Sequence, residues 1–490
     1  VYKVQTVVDH KTLLVDFDGV VTSLPSIGDN STADSYGNLY KFISVRISSM
    51  DNVNDRLAYS DYDDKNTALE VKGDKVFADA DSSGLWRVYE KQNPYTLAKK
   101  LSPDTATTNQ DFGFRIVARN DGRTMVASAP TKGQGEVHFL FRSTTAAGTE
   151  FQNQSTVSMT ENDDTTTQLG FSLSMSSAEP FVVAGAPLTN TLGSDGSTRF
   201  ADSGLIKIYL WEPSTFKYGI LNTLTPPTEE ASQNFGHDHK IVEPGLSSLR
   251  TTPTKYLFVS APGLTSEQGV VYMYEWGIGA DGSTYDTWTQ NLTIESNDKG
   301  SGKRFGHAIA VNDNGDLLAV SSKAPGKAGT VEIFRRTSQS SDDSVQHSFT
   351  FVQSLSGTSA DGSSLNTGFG ETIEMSKDGT TLIIGAPGAD NVAQAEAGAI
   401  YYYKWDADGD STLAYTLQQT VNAPDTAKNM RFGSTLDLND SGNRLLIGAE
   451  NYGNKRKMLF DNGETTFDLQ DTEFVDDNTG SGAVYTATLY

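Results

Sequence analysis

The densest rhythm of hard oxygen ligands in the chain is Asp406-Ala407-Asp408-Gly409-Asp410, three carboxylates on alternate residues. Calcium takes six to eight oxygens, often from such a rhythm around a glycine turn. Here the glycine arrives too early for an EF-hand loop, so the plainer reading is a solvated loop between two strands. Asp406, Asp408 and Asp410 are the candidate metal ligands, with Ca2+ the one cofactor left open; Asp79 and Asp81 make a thinner case. His237-Asp238-His239 sets two imidazoles on one face of a strand, a spacing that suits zinc or nickel. His307 falls at the matching place of a later segment, but no third ligand is evident. Packing, or hydrogen bonding between neighbouring segments, reads better there than a metal. No nucleophile elbow, phosphate-cradling glycine loop or zinc-protease helix is found. Acidic pairs abound, yet glycosidase chemistry needs a defined separation that a sequence does not give. With no cysteine in the chain, disulfides, thiolate metal sites and cysteine nucleophiles are excluded. Read this way, the chain has no catalytic residues and is not an enzyme.

The segments that must position any site repeat. Phe112-Gly113, Leu169-Gly170, Phe235-Gly236, Phe305-Gly306, Phe369-Gly370 and Phe432-Gly433 each open a short strand. Matching turns follow at Ala129-Pro130, Gly185-Ala186-Pro187, Ala261-Pro262, Ala324-Pro325, Gly385-Ala386-Pro387 and the degenerate Gly448-Ala449-Glu450. A glycine-led strand comes next, as in Gly398-Ala399-Ile400-Tyr401-Tyr402-Tyr403. Within the repeat at Phe369, residues 370–375 alternate polar and apolar, Lys377-Asp378-Gly379-Thr380 supplies a hairpin turn, and Leu382-Ile383-Ile384 is a doubly buried strand. Leu413 to Leu417 supplies a fourth strand. Four antiparallel strands per repeat, arranged radially, make a propeller blade. The openings are roughly 60 to 70 residues apart against about 40–45 for a bare four-strand blade, so most repeats carry long loops.

A seventh unit precedes these. Gly84 to Tyr89 matches the third strand and Tyr95 to Leu101 the fourth, with Leu69-Glu70-Val71 and Lys75 to Ala78 as truncated inner strands. The last repeat ends on its third strand, Gly482 to Ala487, and a strand such as Leu39 to Ile43 would cover its open edge. The predicted fold is all-β: a seven-bladed propeller of four-stranded blades over residues 61–490, six-bladed as the runner-up, with a small β hairpin or attachment arm over residues 1–60. The 490 residues carry 62 Asp and Glu against 38 Lys and Arg, a formal charge of −24. Such a field repels nucleic acid and anionic membrane, and no apolar run approaches the length of a membrane span. The chain opens at Val1 without an initiator Met, which reads as processing or as a piece of a longer polypeptide.

Together, the Phe-Gly opening, the Gly-Ala-Pro turn and the glycine-led aromatic strand resemble the FG-GAP repeat, which builds the seven-bladed propeller of integrin α subunits and many microbial surface proteins. The resemblance covers roughly residues 65–490. The integrin pattern also carries a calcium loop, Asp-x-Asp-x-Asp-Gly-x-x-Asp, between the first two strands. Asn120-Asp121-Gly122-Arg123 and Lys377-Asp378-Gly379-Thr380 lack that carboxylate ladder, and Asn312-Asp313-Asn314-Gly315-Asp316 falls short of it. Residues 84–96 also resemble a segment that precedes FG-GAP blades in structural proteins of marine tailed phages.

The resemblance implies a virion or extracellular surface protein that adheres to a host or braces an assembly. Its partners would be other virion or surface proteins through the N-terminal arm, and a host glycan or protein receptor through the long loops at 188–203, 277–286, 389–397 and 451–481. No nucleic acid and no membrane insertion are expected. The alternative is a secreted propeller enzyme acting on polysaccharide, which a convergent cluster of carboxylates in a deep pocket would favour.

Overall fold

Phe-Gly acts as a backbone hinge. Gly113, Gly170, Gly236, Gly306, Gly370 and Gly433 lie at φ between +80° and +94°, a region open to glycine and costly for other residues. The aromatic or leucine before each glycine is buried, from Phe112 at 2% exposed to Phe235 and Phe369 at 0%. The hinge thus anchors a side chain in the core and turns the chain into its first strand. The computed structural model describes residues 111–449 apart from several loop segments, and outside that span the strands together with the tail through 489.

Among the described residues the repeats form seven antiparallel sheets, six of them four-stranded. Sheet I takes Val45–Asp51, Arg56–Asp61, Leu85–Glu90 and Thr96–Leu101. Sheet II runs Ile116–Ala118, Thr124–Ala129, Glu136–Arg142 and Phe151–Ser158. Sheet III has Ser172–Met175, Phe181–Ala186, Leu205–Glu212 and Lys217–Leu224. Sheet IV has His239–Val242, Tyr256–Ala261, Val270–Ile278 and Tyr285–Glu295. Sheet V has Phe305–Val311, Leu317–Ser322, Thr330–Ser341 and Ser344–Ser356. In sheet VI the strands are Thr372–Met375, Thr381–Ala386, Ala399–Asp406 and Ala414–Asn422. Sheet VII has three, Phe432–Leu438, Arg444–Ala449 and Ala483–Thr488. The first strand of each sheet from II to VI lies against the first strand of the next, and Val45–Asp51 touches both Ile116–Ala118 and Phe432–Leu438. That is a β-propeller, with the first strands nearest the axis.

The second strands form the core between sheets. Every residue of Thr124–Ala129, Phe181–Ala186, Tyr256–Ala261, Leu317–Ser322 and Thr381–Ala386 is buried. Each large apolar side chain so buried stabilises the fold by roughly 1.5–3 kcal/mol. The small residue at the end of the second strand is needed for approach. A Cβ on Gly185 would stand 2.1 Å from the Gly236 carbonyl oxygen of the next sheet and 2.2 Å from Ser172 Oγ. Short bridges join Gly204 to Phe235 and Gly398 to Phe432, linking one repeat's third strand to the next repeat's opening.

The hairpin tips between first and second strands are tied by polar side chains. Asn312 Oδ1 accepts from the Asp316 and Leu317 amides, and Asn439 Oδ1 accepts from Asn443 and Arg444. The tips are also laced to one another. The Asp313 amide donates to the Lys377 carbonyl at 2.9 Å, the Lys377 amide donates to the Asp440 carbonyl at 3.1 Å, and Lys377 Nζ pairs with Asp440 Oδ2 at 2.7 Å.

Two sequence expectations change. The first two strands of sheet I are Val45–Asp51 and Arg56–Asp61, whereas Ala68–Lys72 and Lys75–Asp79 pair with each other as a separate ribbon. One sheet therefore includes residues on both sides of position 60. The N-terminal hairpin gains a third strand, giving Tyr2–Asp9, Thr12–Phe17 and Val20–Ser23. Asp408 and Asp410 lie outside the described residues, as do Leu39 to Ile43; Asp406 ends a strand of sheet VI and its side chain lies outside the description.

Candidate functional site

Aligning the first strands from the opening Phe or Leu places equivalent residues at equal depth along the axis. The fourth position stitches sheets together. Ser172 Oγ donates to the Gly236 carbonyl at 2.7 Å, and Thr372 Oγ1 donates to Gly433 at 2.9 Å. Asp238 reverses the polarity: its Oδ2 accepts from the Ile309 amide of the next sheet at 2.7 Å, and its Oδ1 accepts from His239 at 2.9 Å. His239 is buried, and its Nδ1 sits 2.7 Å from Ser174 Oγ of sheet III. Burial pushes its imidazole down to about 3, so it remains neutral across the physiological range. The expected inter-sheet hydrogen bonding is what this histidine does.

At the third position the side chains form a collar, touching from sheet to sheet. Phe114 meets Phe171 with ring centroids 5.4 Å apart, Phe171 meets His237 at 5.1 Å, and His237 meets His307 at 5.2 Å. His307 Nε2 stands 3.7 Å from Glu371 Oε1, and Lys323 pairs with the other oxygen of Glu371. Arg115 lies over the Phe114 ring at 5.4 Å. Glu371 completes a row of three ligand-type side chains with His237 and His307. Lys323 already holds that carboxylate, however, and among the described residues no group of three His, Asp or Glu is arranged to hold a metal ion. Burial pushes Glu371 up, but His307 and Lys323 outweigh it and hold the carboxyl well below the usual range. Burial pushes His237 well below 6.5, aided by the positive charges of His307, Arg304 and Arg115 and opposed by Glu371.

The sixth position carries the second set. Lys240 of sheet IV reaches Glu374 of sheet VI at 3.4 Å. These sheets are not neighbours. The pair spans sheet V, whose residue at that depth is the small Ala310, and so meets at the axis. Both side chains keep solvent access, 34% and 27% exposed, which places them on a solvent-entered channel rather than in the core. Glu374 raises the Lys240 ammonium, an effect partly offset by burial. Burial pushes Glu374 up against the pull of Lys240. Asp437 of sheet VII belongs to the same set: burial, then the charge of Glu374, push it up to about 7 despite Lys240. Its Oδ2 is buried with no hydrogen-bond partner among the described residues. Two carboxylates that feel each other's charge in such a place do not both ionise cheaply.

None of Lys240, Glu374, Asp437, Glu371 or Lys323 was singled out by chemistry-bearing motifs. The available signal was positional. Glu374 and Asp437 occupy the same place in consecutive repeats, which a propeller brings side by side.

No protein-family model matches the chain, and no curated protein matches it. Solved structures do. A candidate 6-phosphogluconolactonase of Bacteroides fragilis is 11% identical, with 93% of this chain and 100% of that chain covered and a TM-score of 0.44. The periplasmic gluconolactonase of Pseudomonas aeruginosa is 11% identical, covering 86% and 95%, at 0.42. The WD40 repeats of RRP9 are 9% identical, covering 91% and 98%, at 0.43. At such identities the likeness shows the fold alone, a β-propeller, and not an FG-GAP or phage origin. The expectation that the chain is not an enzyme is nonetheless corrected. It rested on missing linear motifs, and propellers bearing the names of lactonases are among the similar folds. A propeller assembles its side chains from separate repeats, where no linear motif forms.

Proposed function

We propose that this chain is a secreted seven-bladed propeller that cleaves polysaccharide in its central channel. The observation that carries this reading is the convergence of Glu374 and Asp437, from different sheets, around Lys240. Glycoside hydrolysis needs one carboxyl group that holds a proton and one that is ionised. Asp437 fills the first role because burial and the charge of Glu374 push its carboxyl up to about 7. Glu374 fills the second because Lys240, 3.4 Å away, draws its carboxyl down against the burial that raises it. Asp437 gives its proton to the leaving glycosidic oxygen as the bond to the anomeric carbon breaks. Water attacks that carbon, and its proton passes to Glu374. Lys240 stabilises the carboxylate before transfer.

Incubation of the protein with neutral and acidic polysaccharides, followed by reducing-end release, tests this. Wild type is expected to cleave one class. Asp437→Asn and Glu374→Gln are expected to lose on the order of a hundredfold or more, the usual scale for a positioned acid or base. No cleavage by wild type, or full activity in both variants, would sink the reading.

A second reading is favoured by the rim loop at 188–203. It forms a ribbon, Thr191–Leu192 with Arg199–Phe200, whose tip is held by Asp195 accepting from the Ser197 and Thr198 amides at 2.8 Å. Leu192 stands 56% exposed on it. An apolar side chain on an ordered rim suits host or surface recognition, so we also propose display on a virion or cell surface, with FG-GAP ancestry. Glycan-array and cell-binding assays with Leu192→Asp test it; binding unchanged by the substitution removes the loop from that role.

A further inference from the structure

The collar at the third position is separate in depth from the carboxylates at the sixth, and its chemistry differs. Phe171, backed by the buried Phe114, supplies an apolar face, and His237, His307 and Lys323 continue the row, with Glu371 as the counter-ion. Arg115 lies over Phe114, and Arg304 pairs with Glu267 at 2.9 Å nearby. We propose that this collar binds the anionic group of a charged saccharide, a carboxylate or sulfate ester, with the sugar face on Phe171 and the anion on His307 and Lys323.

Three observations converge. Glu371 is already held as an anion between His307 and Lys323, so the site is built to stabilise a negative charge. His237 Nδ1 is buried and has no hydrogen-bond partner among the described residues, so an unsatisfied polar atom lies directly behind the cluster. Burial, aided by the positive charges of His307, Arg304 and Arg115, holds His237 neutral, and an anion would relieve the part of that effect that comes from charge. The same field disfavours a metal ion, although His237, His307 and Glu371 are ligand types. The overall charge of −24 does not forbid the contact. At physiological salt the screening length is about 8 Å, so distant carboxylates act weakly on a group in direct contact with the collar.

This inference rests on the reading of the channel as a saccharide site, and it is tested so that the two fail separately. Calorimetric titration of the wild-type protein uses an oligogalacturonate, a sulfated carrageenan oligosaccharide and a neutral maltooligosaccharide of equal length. One or both acidic probes are expected to bind on the order of tenfold more tightly than the neutral one, the scale of one charge-assisted contact. His307→Gln and Lys323→Ala are expected to erase that preference. Glu371→Gln removes the competing counter-ion and is expected to strengthen acidic binding, a gain that misfolding does not imitate. Equal binding of acidic and neutral probes, or an unchanged preference in His307→Gln, overturns the proposal. Tight zinc binding by wild type that is lost in His307→Gln overturns it in favour of a metal centre. Acidic binding without cleavage, retained in Asp437→Asn, leaves the collar standing and removes the hydrolase.

Discussion

At the scale of the residue, two groups bias stability in opposite directions over nearly the same pH range. Asp437 is raised from 3.8 to about 7. Below about pH 3 it is protonated folded and unfolded and contributes nothing. As pH rises to 7 the unfolded chain ionises while the folded one holds its proton, so stability falls, by an amount on the order of a few kcal/mol. His239 is lowered from 6.5 to about 3. Its unfolded form gains a proton as pH drops below 6.5 while the buried ring does not, so stability is lost toward pH 3. The two slopes offset each other between about pH 4 and 6.5. Asp437→Asn is expected to be more stable than wild type at pH 8, to match it near pH 3, and to expose an uncompensated rise in between. Urea titrations at stepped pH check this; a variant with the wild-type profile would show that Asp437 ionises normally. Both residues were visible in the sequence as types and not as roles. His239 sits in an evident His-Asp-His run, yet its depth beside Ser174 is a property of the neighbouring repeat. Asp437 was one acid among 62 Asp and Glu until the ring placed it beside Glu374.

At the scale of the element, most of the fold was legible because its motifs encode backbone requirements. Phe-Gly encodes a buried anchor and a positive φ, and the glycine of Gly-Ala-Pro encodes close approach. Gly185→Ala is therefore expected to cost about 3 kcal/mol, since its Cβ meets the backbone oxygen of Gly236 at 2.1 Å and nothing flexible absorbs the overlap. Gly196→Ala, at φ +67° with no atom within 4 Å of the new Cβ, is expected to cost only about 1 kcal/mol. Thermal melts of the pair separate crowding from conformation, and equal losses would refute the crowding account. The first sheet was misread for the opposite reason. Leu69-Glu70-Val71 and Lys75 to Ala78 do form a hairpin, but Val45–Asp51 and Arg56–Asp61 carry neither motif, and local pattern does not say which hairpin joins which sheet.

At the scale of the whole molecule, Val45–Asp51 lies between the first strands of sheets II and VII, and the ring depends on it. Deleting residues 1–61 is expected to expose both flanking edges and to replace a single sharp calorimetric transition with a broad early one; an unchanged transition would show that the ring does not need that strand. Cleavage and anion recognition, as proposed, would both draw on this closure, since each uses side chains from several sheets. The laced hairpin tips have a different consequence. Asp313, Lys377 and Asp440 bind one tip to the next through their backbones, so lengthening any of these turns would part it from its neighbours. The opposite rim carries ribbons and loops of unequal length. Inserted sequence would therefore be accommodated least at these three turns and more readily on the opposite rim, so a fold of this kind can change what that rim touches without disturbing the lacing.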